Sequence, residues 1–257
     1  DFASMQINPK DNQPNLPASY ITTLEGLSGR MRKRFLEGQF REVAPGALFS
    51  EEHLDRWRVE DGRVPDFVRI VVAVDPSGSG DTDNADNDAI GITVSALGTD
   101  GNGYLLEDLT VKAGPATWGK VAVSAYERHA ASVIVGEVNY GGAMVGFVVK
   151  AAAEKMGMRA PPYKMVTASR GKIVRAEPVS ALAEEGKVRL VGRFPELEEE
   201  LAGFTTNGYT GETSPNRGDS FVWGFTELFP ALTKAKAEDK KAEPRRIYRG
   251  SGSWMGA

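Results

Sequence analysis

Two apolar runs in this sequence end on an acidic residue that is followed by turn-forming residues. Residues 71–74 (VVAV) precede Asp75, and residues 133–136 (VIVG) precede Glu137. In an open α/β sheet the functional crevice lies beyond the carboxyl ends of the strands, so the two acids would face one opening if their strands are neighbours. Two converging carboxylates there can hold a hard divalent cation.

Each acid also has a purely structural interpretation. Asp75 begins the sequence Asp-Pro-Ser-Gly, which favours a type I turn. Glu137 is harder to explain in this way, because it follows an apolar and glycine-containing segment in which a glutamate is rarely buried without a partner.

A third acid, Asp219, lies at the start of the last apolar helical pattern, where it could simply cap that helix. The combination of three carboxylates matches what phosphodiester hydrolysis by two metal ions requires, namely oxygen ligands for a pair of Mg²⁺ or Mn²⁺ ions about 4 Å apart. Asp88 opens the second β-like run, and antiparallel pairing would bring it back towards Asp75. We therefore predict Asp88 to be a secondary ligand or an electrostatic support.

The elements that must position these residues follow from the hydrophobic periodicity. Short loops between the first three β-like runs favour an antiparallel meander, and the βα alternation that follows indicates parallel strands covered by helices. The sequence therefore predicts an α/β fold with a mixed sheet flanked by helices. Its predicted strands are 68–74, 89–97, 104–111, 132–138, 163–166 and an edge strand at 188–191. Its predicted helices are 116–129, 143–156, 172–185, 196–204 and 220–232.

Three segments are expected along the chain. Residues 1–64 are predicted to be an arm, extended over 1–19, followed by a helical linker with two short helices within 19–40 and another at 51–57. Residues 65–233 are predicted to be the main domain. Residues 234–257 are rich in Lys, Ala and Glu and are predicted to be a flexible tail.

Composition limits the classes of protein to which this chain could belong. It has 257 residues, 41% of them hydrophobic, and no cysteine, which excludes disulfides, thiolate metal sites and cysteine nucleophiles. No apolar run approaches the roughly 18 residues of a membrane span. The net charge of −4 argues mildly against a nucleic-acid partner, although basic residues cluster at 30–41, 164–175 and 234–249. The glutamates of 196–200 indicate a solvated helix face.

Other patterns in the sequence do not indicate a second activity. Residues 114–121 (GPATWGKV) come within one residue of a phosphate-binding loop, but Val121 replaces the hydroxyl that would bind Mg²⁺, so no ATPase activity is expected. The sequence around Ser220 resembles the nucleophile block of some lipolytic hydrolases, yet no histidine follows it. Trp57, Trp118 and Trp223 each fall on an apolar helical pattern, which is typical of core residues.

The order of the three acids resembles the RNase H-like arrangement, and the surrounding sequence is similar to that of the large terminase subunits of tailed double-stranded DNA bacteriophages. The similarity includes residues 20–24 (YITTL), 34–38 (RFLEG) and 46–49 (GALF), which look like the segment that joins the terminase ATPase to its nuclease. It extends over roughly residues 15–230 on this interpretation.

That resemblance implies a nuclease domain in which Asp75, Glu137 and Asp219 are catalytic metal ligands for two Mg²⁺ or Mn²⁺ ions. It also implies that Lys172 and Arg175, with the neighbouring Arg170, approach phosphates, although a solvated helix start explains these basic residues equally well. Double-stranded DNA would be the substrate. The portal protein, the small terminase subunit and the chain's own ATPase domain would be partners, in the host cytoplasm and without a membrane.

Two alternatives remain open. The chain could be another RNase H-like nuclease, such as a junction resolvase or a transposase. It could also be a non-catalytic docking module of a packaging motor. Cleavage of DNA junctions far above cleavage of linear duplex would favour a junction resolvase over a terminase nuclease. Failure of Mn²⁺ to support any cleavage would favour the docking module.

Overall fold

A six-stranded mixed sheet forms the centre of the computed structural model, which describes residues 8–25, 35–36, 45–59, 63–76, 89–137, 143–167 and 171–233. The strands of this sheet are β1 (Phe67–Asp75), β2 (Gly91–Gly98), β3 (Gly103–Asp108), β4 (Val133–Glu137), β5 (Tyr163–Val166) and β6 (Val188–Leu190). A separate two-stranded hairpin consists of β7 (Phe204–Thr205) and β8 (Gly208–Tyr209).

The strand order of the large sheet is β5-β4-β1-β2-β3-β6. The first three strands form the predicted antiparallel meander, and β4 lies parallel to both β1 and β5. Strand β6 pairs in parallel with β3 at the opposite edge. The predicted mixed sheet is therefore confirmed. Because β1 and β4 are parallel neighbours, with Val74 paired to Gly136, the residues that end them, Asp75 and Glu137, lie at the same edge of the sheet.

Helices cover both faces of this sheet. In chain order the helices are α1 (Ala18–Glu25), α2 (Glu51–Arg56), α3 (Pro115–Arg128), α4 (Ala143–Lys155), α5 (Lys172–Glu184), α6 (Pro195–Ala202), α7 (Asn216–Leu228) and α8 (Pro230–Thr233). Within the described residues, none of these helices is long and apolar enough to cross a membrane.

The alternation of side chains along β1 divides the core into two layers. Val72 and Val74 face α3 and α4, where they pack in one cluster with Trp118 and Val148. Residues on the opposite face of β1 pack with α7, as Ala73 does with Trp223. Burial of both faces explains why these strands are continuous apolar runs rather than alternating ones.

Helix α7 lies unusually close to β2 at its first turn. A Cβ atom added to Gly91 would lie 1.9 Å from the carbonyl oxygen of Asn216, so only glycine permits this approach. The side-chain amide of Asn216 donates a 2.7 Å hydrogen bond to the carbonyl oxygen of Ala89, just before β2. These two contacts fix where α7 begins relative to the end of β1.

Some boundaries differ from the sequence predictions. The closing helix begins at Asn216 rather than at 220, because contacts with β2 support a first turn that its glycine and polar residues do not favour by themselves. The helix predicted at 196–204 ends at Ala202, and Phe204 begins the unpredicted hairpin. The arm predicted to be extended contains a 3₁₀ turn at Gln13–Asn15.

Other predictions fall partly or wholly outside the described residues. They include the second helix of the linker and the tail from 234. The segment that resembles a phosphate-binding loop is described, and it is mostly helical: Gly114 is the N-cap of α3, and Lys120 lies on the exposed side of that helix.

We predict that Gly91→Ala strongly destabilises the protein, because the new methyl group would overlap the backbone of α7. Overpacking of this kind costs about 1–3 kcal/mol or more. Urea denaturation followed by circular dichroism would measure the loss. Gly114→Ala is the matched control, since a Cβ there would have no atom within 4 Å, and it should cost clearly less. Equal effects at the two positions would contradict the close approach of α7.

Candidate active site at the carboxyl edge of the sheet

The structure brings Asp75, Glu137 and Asp219 to the carboxyl edge of the sheet. Asp75 is the last residue of β1, Glu137 is the last residue of β4, and Asp219 is in the first turn of α7. The three residues are 7%, 9% and 2% exposed. Asp219 therefore lies inside α7 and does not serve as its N-cap, which is Pro215. Its charge at this end of the helix is favourable because it faces the positive end of the helix dipole.

The acids interact electrostatically as one group. Burial raises the pKa of Asp75 well above its ordinary value, and the charges of Asp219 and Glu137 raise that pKa further. The nearby cations Lys172 and Arg175 act in the opposite direction on the same pKa. A carboxylate in such a place is costly to ionise unless positive charge is brought to the cleft.

Two basic residues of α5 lie among these carboxylates. The Lys172 ammonium is 2.6 Å from Oδ2 of Asp219 and also donates to the Ser214 hydroxyl at 3.1 Å. The Arg175 guanidinium is 3.4 Å from Oδ1 of Asp219 and 3.8 Å from Oε2 of Glu137. Their spacing of three positions places both on one face of the helix. In this state the protein supplies the positive charge of the cleft from its own side chains.

Glu137 has a neutral partner as well. The indole N–H of Trp223 donates a 2.9 Å hydrogen bond to Oε2 of Glu137, and the Arg175 guanidinium lies 4.7 Å from the centroid of the Trp223 ring. The sequence pattern identified Trp223 only as a core residue. It is buried as that pattern predicts, but it also contacts the candidate site, which periodicity alone could not reveal.

The first turn of α7 is held by a second set of polar contacts. The Gly218 amide donates to Oε2 of Glu200 at 2.9 Å, and Arg217 forms an ion pair with Asp108 at 2.9 Å. Burial raises the pKa of Glu200 to about 7. The solvated face predicted for the glutamates of 196–200 is therefore wrong in part: Glu198 pairs with Arg58, and Glu200 supports the turn that carries Asp219.

The other predicted site residues have different outcomes. Asp88 and Arg170 lie outside the described residues. Lys172 and Arg175, predicted to approach phosphates, contact carboxylates in this structure, and their role towards phosphates stays a prediction. In the part of the chain that is described, no three acidic or histidine side chains are already arranged to hold a metal ion. Lys172 and Arg175 form ion pairs with Asp219 and Glu137, so these carboxylate oxygens face the protein's own cations in this structure.

The residues present nevertheless fit a divalent cation. They supply oxygen donors, which Mg²⁺ and Mn²⁺ prefer, and no competing thiolate, since the chain has no cysteine. Burial and the charges of Asp219 and Glu137 raise the pKa of Asp75, and a cation in the cleft would favour the ionised form of this carboxyl group.

Comparison with known proteins gives the family. Residues 72–228 match the family described as "Terminase RNaseH-like domain", which is more than half of the chain. The chain belongs to this family. Membership indicates a nuclease role in the packaging of phage DNA. The matched segment of this terminase domain begins within β1 and ends with α7, so it includes all three acids. No curated protein sequence matches the chain significantly.

Several solved structures are similar to the chain at low sequence identity. The nuclease domain of the P22 large terminase is 14% identical, with a TM-score of 0.49 over 74% of this chain and 95% of that one. A mutant nuclease domain of the large terminase subunit of bacterial virus Sf6, with manganese and beta-thujaplicinol, is 14% identical, with a TM-score of 0.47 over 69% and 97%. RuvC of Thermus thermophilus is 15% identical, with a TM-score of 0.37 over 65% and 98%.

We predict that Asp75→Asn stabilises the terminase domain when metal is absent. Because the folded protein raises the pKa of Asp75, ionisation of this residue costs stability, and that cost grows as pH rises above the ordinary range of an aspartate. At pH 8 in chelator the variant should melt roughly 2–8 °C above the wild type. The difference should shrink towards pH 4. Differential scanning calorimetry at several pH values measures both.

Asp11→Asn is the matched control, because Asp11 is an exposed aspartate whereas Asp75 is buried. It should leave the melting temperature unchanged at every pH. If Asp75→Asn instead melted below the wild type at pH 8, the charge of Asp75 would have to stabilise the fold, and the electrostatic description of the cleft would be wrong.

Proposed function

We propose that this chain is a divalent-metal-dependent endonuclease that cuts double-stranded DNA, with little sequence preference, during the packaging of a phage genome. The observation that carries the proposal is the convergence of Asp75, Glu137 and Asp219 at the carboxyl edge of the sheet, where burial and the charges of the other two acids raise the pKa of Asp75. Such a cluster is unfavourable for folding, and its natural explanation is a site for cations.

Asp75, Glu137 and Asp219 would hold two Mg²⁺ or Mn²⁺ ions, with Asp88 as a further ligand or electrostatic support. When bound, such ions activate a water molecule and stabilise the leaving oxygen of a phosphodiester. The chain's contribution is to hold its carboxylates in a fixed cleft. Strand ends carry two of them, and the anchored first turn of α7 carries the third.

Lys172 and Arg175 would have a second partner in the DNA. Both side chains extend from the N-terminal turn of α5 into the cleft, and Lys172 keeps 42% of its side chain exposed. A phosphate that entered the cleft would meet Lys172 before Arg175, whose side chain is only 12% exposed. Arg170, which precedes the same helix in the sequence, would extend this basic surface.

The acidic average of the chain limits how DNA can be bound. With a net charge of −4, affinity must come from a few local cations, and no segment suggests that bases are read. We therefore infer weak, salt-dependent and sequence-indifferent binding. Cuts should show no consensus sequence.

The remaining assignments follow from family membership. Residues 65–233 would be the nuclease domain, residues 1–64 an arm and helical linker towards the ATPase domain, and residues 234–257 a flexible tail. The portal protein and the small terminase subunit would be the other partners in the host cytoplasm. The chain itself should not hydrolyse ATP, since Gly114 to Lys120 belong to a helix and its cap rather than to a phosphate-binding loop.

We predict that Asp75→Asn, Glu137→Gln and Asp219→Asn each reduce plasmid cleavage with Mn²⁺ below detection, because each removes an anionic oxygen from the cluster at nearly constant volume. The measurement is conversion of supercoiled plasmid to nicked and linear forms with Mg²⁺, with Mn²⁺ and with chelator. Glu52→Gln on the exposed side of α2 is the control and should cut like the wild type.

The same assay separates the alternatives. A variant of one of the three acids that cuts at the wild-type rate would remove that residue from the site. Cleavage of four-way junctions far above linear duplex would favour a junction resolvase. Absence of any cleavage with Mn²⁺ at high protein concentration would favour a non-catalytic docking module.

We predict that Lys172→Gln weakens binding to all duplex sequences alike and lowers the slope of log affinity against log salt by about one, since each neutralised phosphate contributes about 0.9. Fluorescence anisotropy with labelled duplexes, in the Asp75→Asn background to prevent cleavage, measures the slope. Lys120→Gln on the exposed side of α3 is the control and should leave it unchanged. A slope near zero for the parent protein would contradict electrostatic binding.

A further inference from the structure

Trp223 connects the candidate site to the core of the molecule. It follows Asp219 by one helical turn on α7, is 5% exposed, and packs with Val71 and Ala73 of β1. Its indole N–H donates the 2.9 Å hydrogen bond to Oε2 of Glu137. One side chain therefore joins the helix that carries one acid to the strand that carries another.

The chemistry of indole suits this position. An indole has one N–H donor, no acceptor and no charge. It can thus orient a carboxylate through one oxygen lone pair while the other lone pairs stay available to a cation. A lysine or arginine in its place would orient Glu137 too, but would add a positive charge that opposes metal binding. A phenylalanine would fill the space without donating a hydrogen bond to the carboxylate.

The ring of Trp223 also supports Arg175. The guanidinium lies 4.7 Å from the ring centroid, within the range of a cation–π contact, while the same group reaches towards Asp219 and Glu137. Trp223 consequently contacts one acid directly and the cation that two acids share.

We propose that Trp223 is a positioning residue of the active site, which fixes the carboxylate of Glu137 for metal binding and holds Arg175 over its ring. The inference rests on the proposed metal-dependent nuclease function. It gives Trp223 a measurable effect on metal affinity, which a residue that only fills the core would not have. Partners of this kind typically contribute 10-fold to 100-fold to metal affinity.

The first test is isothermal titration of the intact chain with Mn²⁺ alone, without DNA. Trp223→Phe should weaken Mn²⁺ binding by roughly 10-fold to 100-fold. Trp118→Phe is the matched control, since Trp118 is a fully buried tryptophan of α3 in the cluster on the opposite face of the sheet. It should lower the melting temperature and leave Mn²⁺ affinity unchanged. Equal Mn²⁺ affinities for Trp223→Phe and the wild type would overturn the proposal.

A second variant separates the hydrogen bond from packing if Trp223→Phe fails to fold. Replacement of Trp223 by 3-benzothienylalanine keeps the shape of the ring and exchanges the N–H for sulphur. This protein should melt close to the wild type and still bind Mn²⁺ more weakly, whereas wild-type affinity in it would overturn the proposal. If the wild type itself binds no Mn²⁺, the proposed metal site fails, and the role of Trp223 fails with it.

Discussion

Burial of three like charges in one cleft is the constraint to which the rest of this site responds. Asp75, Glu137 and Asp219 are almost inaccessible to water, and burial together with the charges of the other two acids raises the pKa of Asp75. The chain offsets that cost with Lys172 and Arg175, which approach from a neighbouring helix. A protein selected for stability alone would have little reason to keep this arrangement, so the destabilising cluster is best understood as a requirement of function.

The cluster can form only because α7 lies close against the sheet. Gly91 removes the side chain that would separate them, the Asn216 amide binds the backbone before β2, and Glu200 accepts the Gly218 amide. These contacts act on the single turn that contains Asp219. The position of Asp219 is therefore set by residues outside the cluster of acids, as a candidate active site that needs rigid support would require.

The sequence predicted much of this organisation, for identifiable reasons. Apolar runs that end in Asp75 and Glu137 are local signals, and the loop lengths between them determine which strands become neighbours. The start of α7 could not be predicted in the same way, because its first turn depends on contacts with residues more than a hundred positions away.

The roles of Trp223 and Glu200 were hidden for a similar reason. A tryptophan on an apolar helical pattern predicts a core residue, and a run of glutamates predicts a solvated helix face. What the indole N–H or the carboxylate actually binds is decided by tertiary placement, which periodicity does not contain. The three acids have a local signature in the sequence, whereas the side chains that contact and support them have none.

Because Lys172 pairs with Asp219 and keeps part of its side chain exposed, we infer that the proposed metal binding and the proposed DNA binding would be linked. In this structure the Lys172 ammonium forms an ion pair with Oδ2 of Asp219 at 2.6 Å. A divalent ion on Asp219 would compete with that contact and release the ammonium towards a phosphate. Linkage is reciprocal, so DNA that engages Lys172 would in turn favour the ion on Asp219. In a chain of net negative charge, this coupling would restrict tight DNA binding to the metal-loaded state, in which cleavage can follow.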